Sequence, residues 1–189
     1  MSSRYIALST QSVGVGPAGS TSMLARVVIV GYRGTTLMNE FVKPTLPISD
    51  YRTNVTGIVP GILESDDAVP FDEIQARVAM HIADKIIIGH SLWNDLSVIG
   101  LPHRAVDTRD VALYRPFRET LRMNQLVGLP TLMWHFMNRE IQKERVDPLE
   151  NARALMDLYR SAETDFEGPI SGGEWPFHLP PENFARCYL

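Results

Sequence analysis

Three groups of residues carry the spacing that chemistry would need. G-V-G-P-A-G, residues 14 to 19, fits G-x-G-x-x-G, the pattern that brings backbone N–H groups against a dinucleotide pyrophosphate. That site needs a helix directly after the glycines, because the helix N-terminus faces the phosphates. The chain instead continues into L-A-R-V-V-I-V, residues 24 to 30, a β-branched run that reads as a strand. Gly14, Gly16 and Gly19 are therefore predicted to form a hairpin loop. Arg104, Arg109, Arg115, Arg118 and Arg122 form the densest basic stretch, a candidate nucleic-acid surface that pairing with Asp107, Asp110 and Glu119 would neutralise. His81, His103, His135 and His178 have no metal-ligand spacing, and His90, at a strand end, reads as a packed or capping residue.

The elements that would hold such groups are set by periodicity. Strands are predicted at Tyr5 to Leu8, Leu24 to Tyr32 and Thr36 to Val42, joined by short Gly-containing loops as an antiparallel meander. A short helix is predicted at Pro60 to Glu64 within a segment rich in turn formers. Residues 71, 74, 78 and 82 are apolar, so Phe71 to Ile82 reads as a helix. Lys85 to Gly89 is a buried strand, its apolar run matching a sheet covered on both faces. A helix over Leu92 to Ile99 and a short strand near Ala105 to Asp107 come next. The last two helices span Leu129 to Phe136 and Leu149 to Ser161, the second with Leu149, Ala152, Leu155, Met156 and Tyr159 on one side. The expected class is an α/β sheet of mixed direction.

From Ala162 the pattern stops. Residues 162–189 are read as a Gly/Pro-rich tail after a domain of residues 1–161, and the tail is unusually aromatic for a disordered segment. Two readings stand side by side: the tail packs on its own domain, or Trp175, Phe177 and Phe184 dock on a partner.

Composition bounds the rest. The chain has 189 residues, 44% hydrophobic and 21% charged, enough for one domain with a sizeable core. The net charge of −4 gives no overall basic field to attract nucleic acid. Cys187 is the sole cysteine, which suits a reducing compartment. No apolar run approaches the roughly 20 residues of a membrane span, and no signal-type h-region opens the chain. Nuclear or cytoplasmic location is expected.

Six segments then share one pattern: Y-I-A-L-S-T-Q-S-V-G-V-G-P-A-G, N-E-F-V-K-P, I-S-D-Y-R-T-N-V-T-G-I, I-I-I-G-H-S-L-W-N-D-L-S-V-I, D-T-R-D-V-A-L-Y-R-P-F and L-E-N-A-R-A-L-M-D-L-Y-R. In their order and spacing, over roughly residues 4 to 161, they resemble the DEDDh 3′–5′ exonucleases, in particular the branch of RNA exonuclease 4 and the interferon-stimulated 20-kDa exonuclease. The resemblance implies a ribonuclease H-like exonuclease fold, with a mixed five-stranded sheet flanked by helices. It also implies two Mg²⁺ or Mn²⁺ ions roughly 3.5–4 Å apart, held by four carboxylates, with a histidine as general base.

This chain departs from the pattern at the positions that matter. The first-strand D-x-E pair falls on Ser9 and Gln11, which keep the shared strand face and lose both charges. The third acid is kept as Asp95. The fourth falls on Asn151 and the histidine on Val146. Glu150 is one helical step, about 100°, from the fourth position, while Asp147 adjoins the histidine position and a loop could bring it closer. A non-enzyme is expected, without tight binding of the family's metal ions. Three uses of such a domain are open: a protein-interaction scaffold in an RNA-processing or RNA-silencing assembly, a non-cleaving binder of RNA or other single strands, and a residual metal-dependent exonuclease. A protein partner, RNA and a homodimer are the candidate associations. Asp50, Tyr51, Arg52 and Gly57 match a loop that frames the cleft in the family; Asp107 and Asp110 read as turn and capping residues.

Overall fold

A computed structural model gives the structure of residues 2–189. The order is β1 (Tyr5–Val15), β2 (Thr21–Gly31), β3 (Thr36–Phe41), β4 (Ile48–Asp50), α1 (Thr53–Thr56), α2 (Pro60–Leu63), α3 (Phe71–Ile82), β5 (Ile86–Gly89) and α4 (Leu92–Ile99). Then come β6 (Thr108–Asp110), α5 (Arg115–Thr120), α6 (Leu129–Met137), α7 (Pro148–Ser161) and α8 (Glu163–Ser171). The sheet has six strands in the order β3-β2-β1-β5-β6, with β4 paired to the far end of β1. β2 runs antiparallel to both β1 and β3, whereas β5 is parallel to β1 and β6 to β5. The mixed direction is as expected. The sixth strand is not: β4 is three residues in a turn-rich segment, too short to show periodicity.

Alternation along β1 divides the core. Ile6 and Leu8 face α3 and α4 with Ile74, Val78, Leu92 and Leu96. Ala7 faces the other side with Val28, Ile88, Leu132, Leu155 and Tyr159. With both faces covered, β5 is apolar throughout, which is why I-I-I-G has no polar alternation.

Three boundaries differ from expectation. β1 continues through the polar residues Ser9 to Ser12 because β2 pairs with it along its whole length, with a bulge between Gln11 and Ser12. The expected hairpin loop is shorter, Gly16 to Ser20, because Gly14 and Val15 still pair with β2; a Cβ on Gly14 would stand 2.7 Å from the Gly19 Cα, and Gly19 has φ +68°. The strand near 105 begins later, at Thr108, after a 3-10 turn over Ala105–Asp107.

Residues 162–189 pack on the domain. α8 lays Phe166 flat on Tyr114, ring centroids 3.9 Å apart. Phe177 is 7% exposed within the same cluster, and its segment bonds back through Arg115 N to Pro176 O and His178 N to Leu113 O. Phe177 is therefore closed to a docking partner, a correction to its expected availability. Trp175 is half-buried, with the Arg109 guanidinium 5.8 Å from its ring centre. Among the described residues, no helix is long and apolar enough to cross a membrane.

Candidate nucleic-acid groove

β1, the first turns of α4 and α7, and the 3-10 turn Glu182–Cys187 enclose a groove of about 760 Å³. Ser9 and Thr10 reach it from β1, Asp95 from α4 and Asn151 from α7. The fold thus brings three of the expected positions to one cavity. The other two, Gln11 and Val146, lie beside it and are joined to each other.

Gln11 is buried, and its amide donates to two carbonyls, Thr56 O at 3.0 Å and Val146 O at 2.5 Å. Val146 N donates in turn to Val55 O. The residue at the first strand's second acid position therefore ties α1 and the 142–147 loop to the sheet. A carboxylate could not do this, since it accepts and does not donate. Gln11 Oε1 is buried with no partner among the described residues.

Asp95 is 9% exposed. Its Oδ1 accepts from Thr10 N at 2.9 Å and from Thr10 Oγ1 at 2.6 Å. Burial pushes its carboxyl up to about 7, the Thr10 bonds oppose that rise, and nearby Asp110 adds to it. Asp110 is itself raised by burial, against the pull of His90 and three backbone N–H groups. Those donors are Ser91 N, Leu92 N and Ala112 N, so Asp110 caps α4 from the neighbouring strand. The expected capping role stands, with a partner across the sheet.

Asn151 Oδ1 accepts from Gln142 Nε2, and Glu150 accepts from Gln142 N. Asp147 is spent elsewhere: it caps α7 through Leu149 N and pairs with Arg26 at 3.1 Å. It does not stand in for the missing histidine.

These donors do not fit the two-ion centre. The set is one carboxylate already accepting two hydrogen bonds, one hydroxyl, and one carboxamide oxygen already in use, where hard dications take several anionic oxygens. Among the described residues, no three His, Cys, Asp or Glu side chains come together as a metal site.

The five arginines of the basic stretch do not line the groove. Arg109 is 2% exposed and forks onto Glu167 at 2.7 and 2.9 Å. Arg104 pairs with Asp107, Arg115 with Glu174 and Trp175 O, and Arg118 donates to Asn124 O. Arg122 is exposed at the end of α5, outside the groove. Of the three acids expected to neutralise this stretch, only Asp107 pairs with one of its arginines among the described residues, and Arg109 is a buried tie to Glu167 rather than a solvated pair. The groove's own cations are Arg52 and Arg186. Arg52, from the expected framing loop, donates to Gly19 O and Ser22 Oγ. Arg186 comes from the C-terminal segment, where nothing in the spacing marked it. Phe184 lines the groove too, resting on Trp93.

No protein-family model matches the chain. RNA exonuclease 4 of Candida glabrata is 37% identical over 87% of this chain and 62% of its own length. The protein of that name from Saccharomyces cerevisiae is 37% identical, over 87% of this chain and 56% of its own. The human one is 35% identical, over 87% and 38%. The chain thus spans between about two fifths and three fifths of the length of these relatives. Among solved structures, the pseudoubiquitin hydrolase–RNA exonuclease module of Saccharomyces cerevisiae Pan2 in complex with A7 RNA superposes with a TM-score of 0.75 at 22% identity, over 90% of this chain and 30% of that one. The Neurospora crassa Pan2 catalytic unit gives 0.72 at 20%, over 91% and 29%. These two carry the fold alone, which is ribonuclease H-like. Along 87% of its length the chain is similar to proteins named RNA exonuclease 4, and it has uncharged residues at four of the five positions where the DEDDh exonucleases that its sequence resembles place catalytic groups.

Proposed function

We propose that this chain is an exonuclease-like domain that binds single-stranded RNA in its groove without cutting it, as part of an RNA-processing assembly. One observation carries the reading. The groove keeps an open, polar form, yet its one carboxylate, Asp95, is buried, engaged by Thr10 and held toward protonation. A four-carboxylate cleft repels phosphate until dications neutralise it. Here three of the four acids are replaced by the uncharged Ser9, Gln11 and Asn151, with Arg52 and Arg186 at the walls. Such a cleft can hold a phosphodiester chain with no bridging metal. The names of the relatives, RNA exonuclease 4, supply the RNA context.

The test is direct. RNA labelled at its 5′ end is incubated with the chain in Mg²⁺ and in Mn²⁺, beside a variant carrying Ser9→Asp, Gln11→Glu, Val146→His and Asn151→Asp. The native chain is expected to leave the RNA at full length while retarding it in a gel run in EDTA. Shortening from the 3′ end by the native chain would overturn the reading. Protein docking is the second use, favoured by Trp134, which stands 56% exposed on α6.

A further inference from the structure

We infer that the C-terminal segment supplies the groove's stacking wall: a nucleobase of the bound strand lies on Phe184, and a neighbouring phosphate pairs with Arg186. This rests on the RNA-binding reading and sharpens it, because it assigns the occupant to the class of single strands with exposed bases.

The wall is built rather than draped. The 3-10 turn Glu182–Cys187 lies against α4, with Phe184 tilted over Trp93 at a centroid distance of 6.5 Å. Cys187 is buried and its thiol points to Trp93 O at 3.7 Å. Beyond it the chain end is zipped to the loop after α4. His103 N donates to Cys187 O at 3.0 Å, Leu189 N to His103 O at 2.9 Å and Ala105 N to Leu189 O at 3.2 Å. The aromatic face is therefore fixed before any ligand arrives, which removes an ordering cost from binding.

Phe184 is half-buried, one side on the core and the other part of the groove lining. Arg186 is exposed two residues later and lines the same groove. An aromatic platform beside an exposed arginine is the pairing that single-strand channels use. Across the groove stand the hydroxyls of Ser9, Ser12, Ser20, Thr21 and Ser22, donors suited to phosphate and ribose oxygens. Duplex nucleic acid would hide its base faces from Phe184. A peptide would leave this row of donors with few anionic partners.

The test uses the full chain in EDTA and fluorescein-labelled octamers: oligoadenylate, oligouridylate, and an abasic ribose-phosphate strand of equal length. Phe184→Leu keeps an apolar packing group on Trp93 and deletes the π face; thermal melting checks that it folds. Oligoadenylate affinity is expected to fall roughly 5- to 100-fold, with the abasic strand unaffected. Arg186→Gln is expected to weaken all three strands and to reduce the slope of log K against log salt by about 0.7. If Phe184→Leu binds oligoadenylate like the parent, or loses the abasic strand equally, the stacking wall is wrong while RNA binding stands. If the parent binds none of the strands, the RNA-binding reading itself falls, protein docking replaces it, and the wall falls with it.

Discussion

Asp95→Asn should stabilise this protein at alkaline pH, the opposite of what a metal-holding carboxylate would do. The reasoning begins with burial. Asp95 is 9% exposed and its carboxyl is raised from 3.8 to about 7, with desolvation as the leading cause. A carboxyl raised on folding binds a proton in the native state over a range where the unfolded chain has released it. Between about pH 4 and pH 7 the folded state therefore gains stability as pH falls, and that gain is lost as pH rises through 7. From pH 5 to pH 8 the loss attributable to Asp95 is about 2.5–3 kcal/mol. For a chain of this length that corresponds to a melting shift of roughly 5–11 °C. The substituted amide retains an oxygen to accept from Thr10 N and Thr10 Oγ1, so packing and hydrogen bonding are preserved while the titration disappears.

The assay is thermal melting of parent and variant from pH 5 to pH 8, with and without Mn²⁺. The curves should nearly coincide at pH 5 and separate toward pH 8, with the variant the more stable. Asp110 titrates in the same sense and His178, lowered by burial and by Arg118 and Arg115, in the opposite sense. Both persist in the variant, so the difference between curves isolates Asp95 with its coupling to Asp110. Parallel profiles would refute the argument, because they would mean that Asp95 is ionised in the fold like an ordinary surface acid. A rise in the parent's melting temperature with Mn²⁺ at pH 8, absent from the variant, would refute it differently, by showing a carboxylate that binds metal.

Other consequences can be checked by the same melts. Arg109→Ala leaves Glu167 half-buried without its bidentate partner, so a loss of about 3–5 kcal/mol is expected, with no specific effect on RNA affinity because Arg109 lies outside the groove. Truncation after Ser161 removes Phe166 and Phe177 from around Tyr114; the remaining chain is expected to lose cooperative melting rather than persist as a folded core. Gln11→Glu alone sets a carboxylate against the carbonyls of Thr56 and Val146, for an expected loss of about 2–4 kcal/mol at pH 8.

The fold was largely legible wherever apolar periodicity ran long enough. Phe71–Ile82 and Leu92–Ile99 are helices with the expected bounds, and L-A-R-V-V-I-V was enough to reject a dinucleotide loop. What stayed hidden was polar sequence made regular by tertiary pairing. Ser9 to Ser12 has no apolar periodicity, so the strand read from apolar residues ends at Leu8, yet this segment extends β1 because β2 supplies partners for its backbone. Thr108–Asp110 is a strand of buried polar residues whose two charges find partners outside it: Arg109 on Glu167, Asp110 on the first turn of α4. α8 contains Gly168 and Pro169, residues that argue against a helix, and forms around the burial of Phe166. At the site, the loss of acids was visible residue by residue. Arg186 and Phe184 were not visible as a pair, because only the fold carries the chain's last residues back to α4.

The pattern of replacements explains how the cleft can keep its form without the charges. Two metal ions would have joined β1, α4 and α7 through shared carboxylates. Here neutral hydrogen bonds make those joins one at a time: Thr10 to Asp95 links β1 with α4, Gln11 to Val146 and Thr56 links β1 with the approach to α7 and with α1, and Gln142 to Asn151 fastens that approach to α7 itself. Only the Gln11 tie needs a donor where a metal-binding acid would offer acceptors; Asp95 and Asn151 accept in theirs. Reversion of Gln11 to an acid therefore breaks its two bonds and adds an unpaired buried charge before any metal site exists to receive it. At Gln11, catalysis and this framework are alternatives, and a route from one to the other passes through a less stable intermediate. The same bonds that join β1, α4 and α7 occupy Asp95 Oδ1 and Asn151 Oδ1, two of the oxygens that would face a metal.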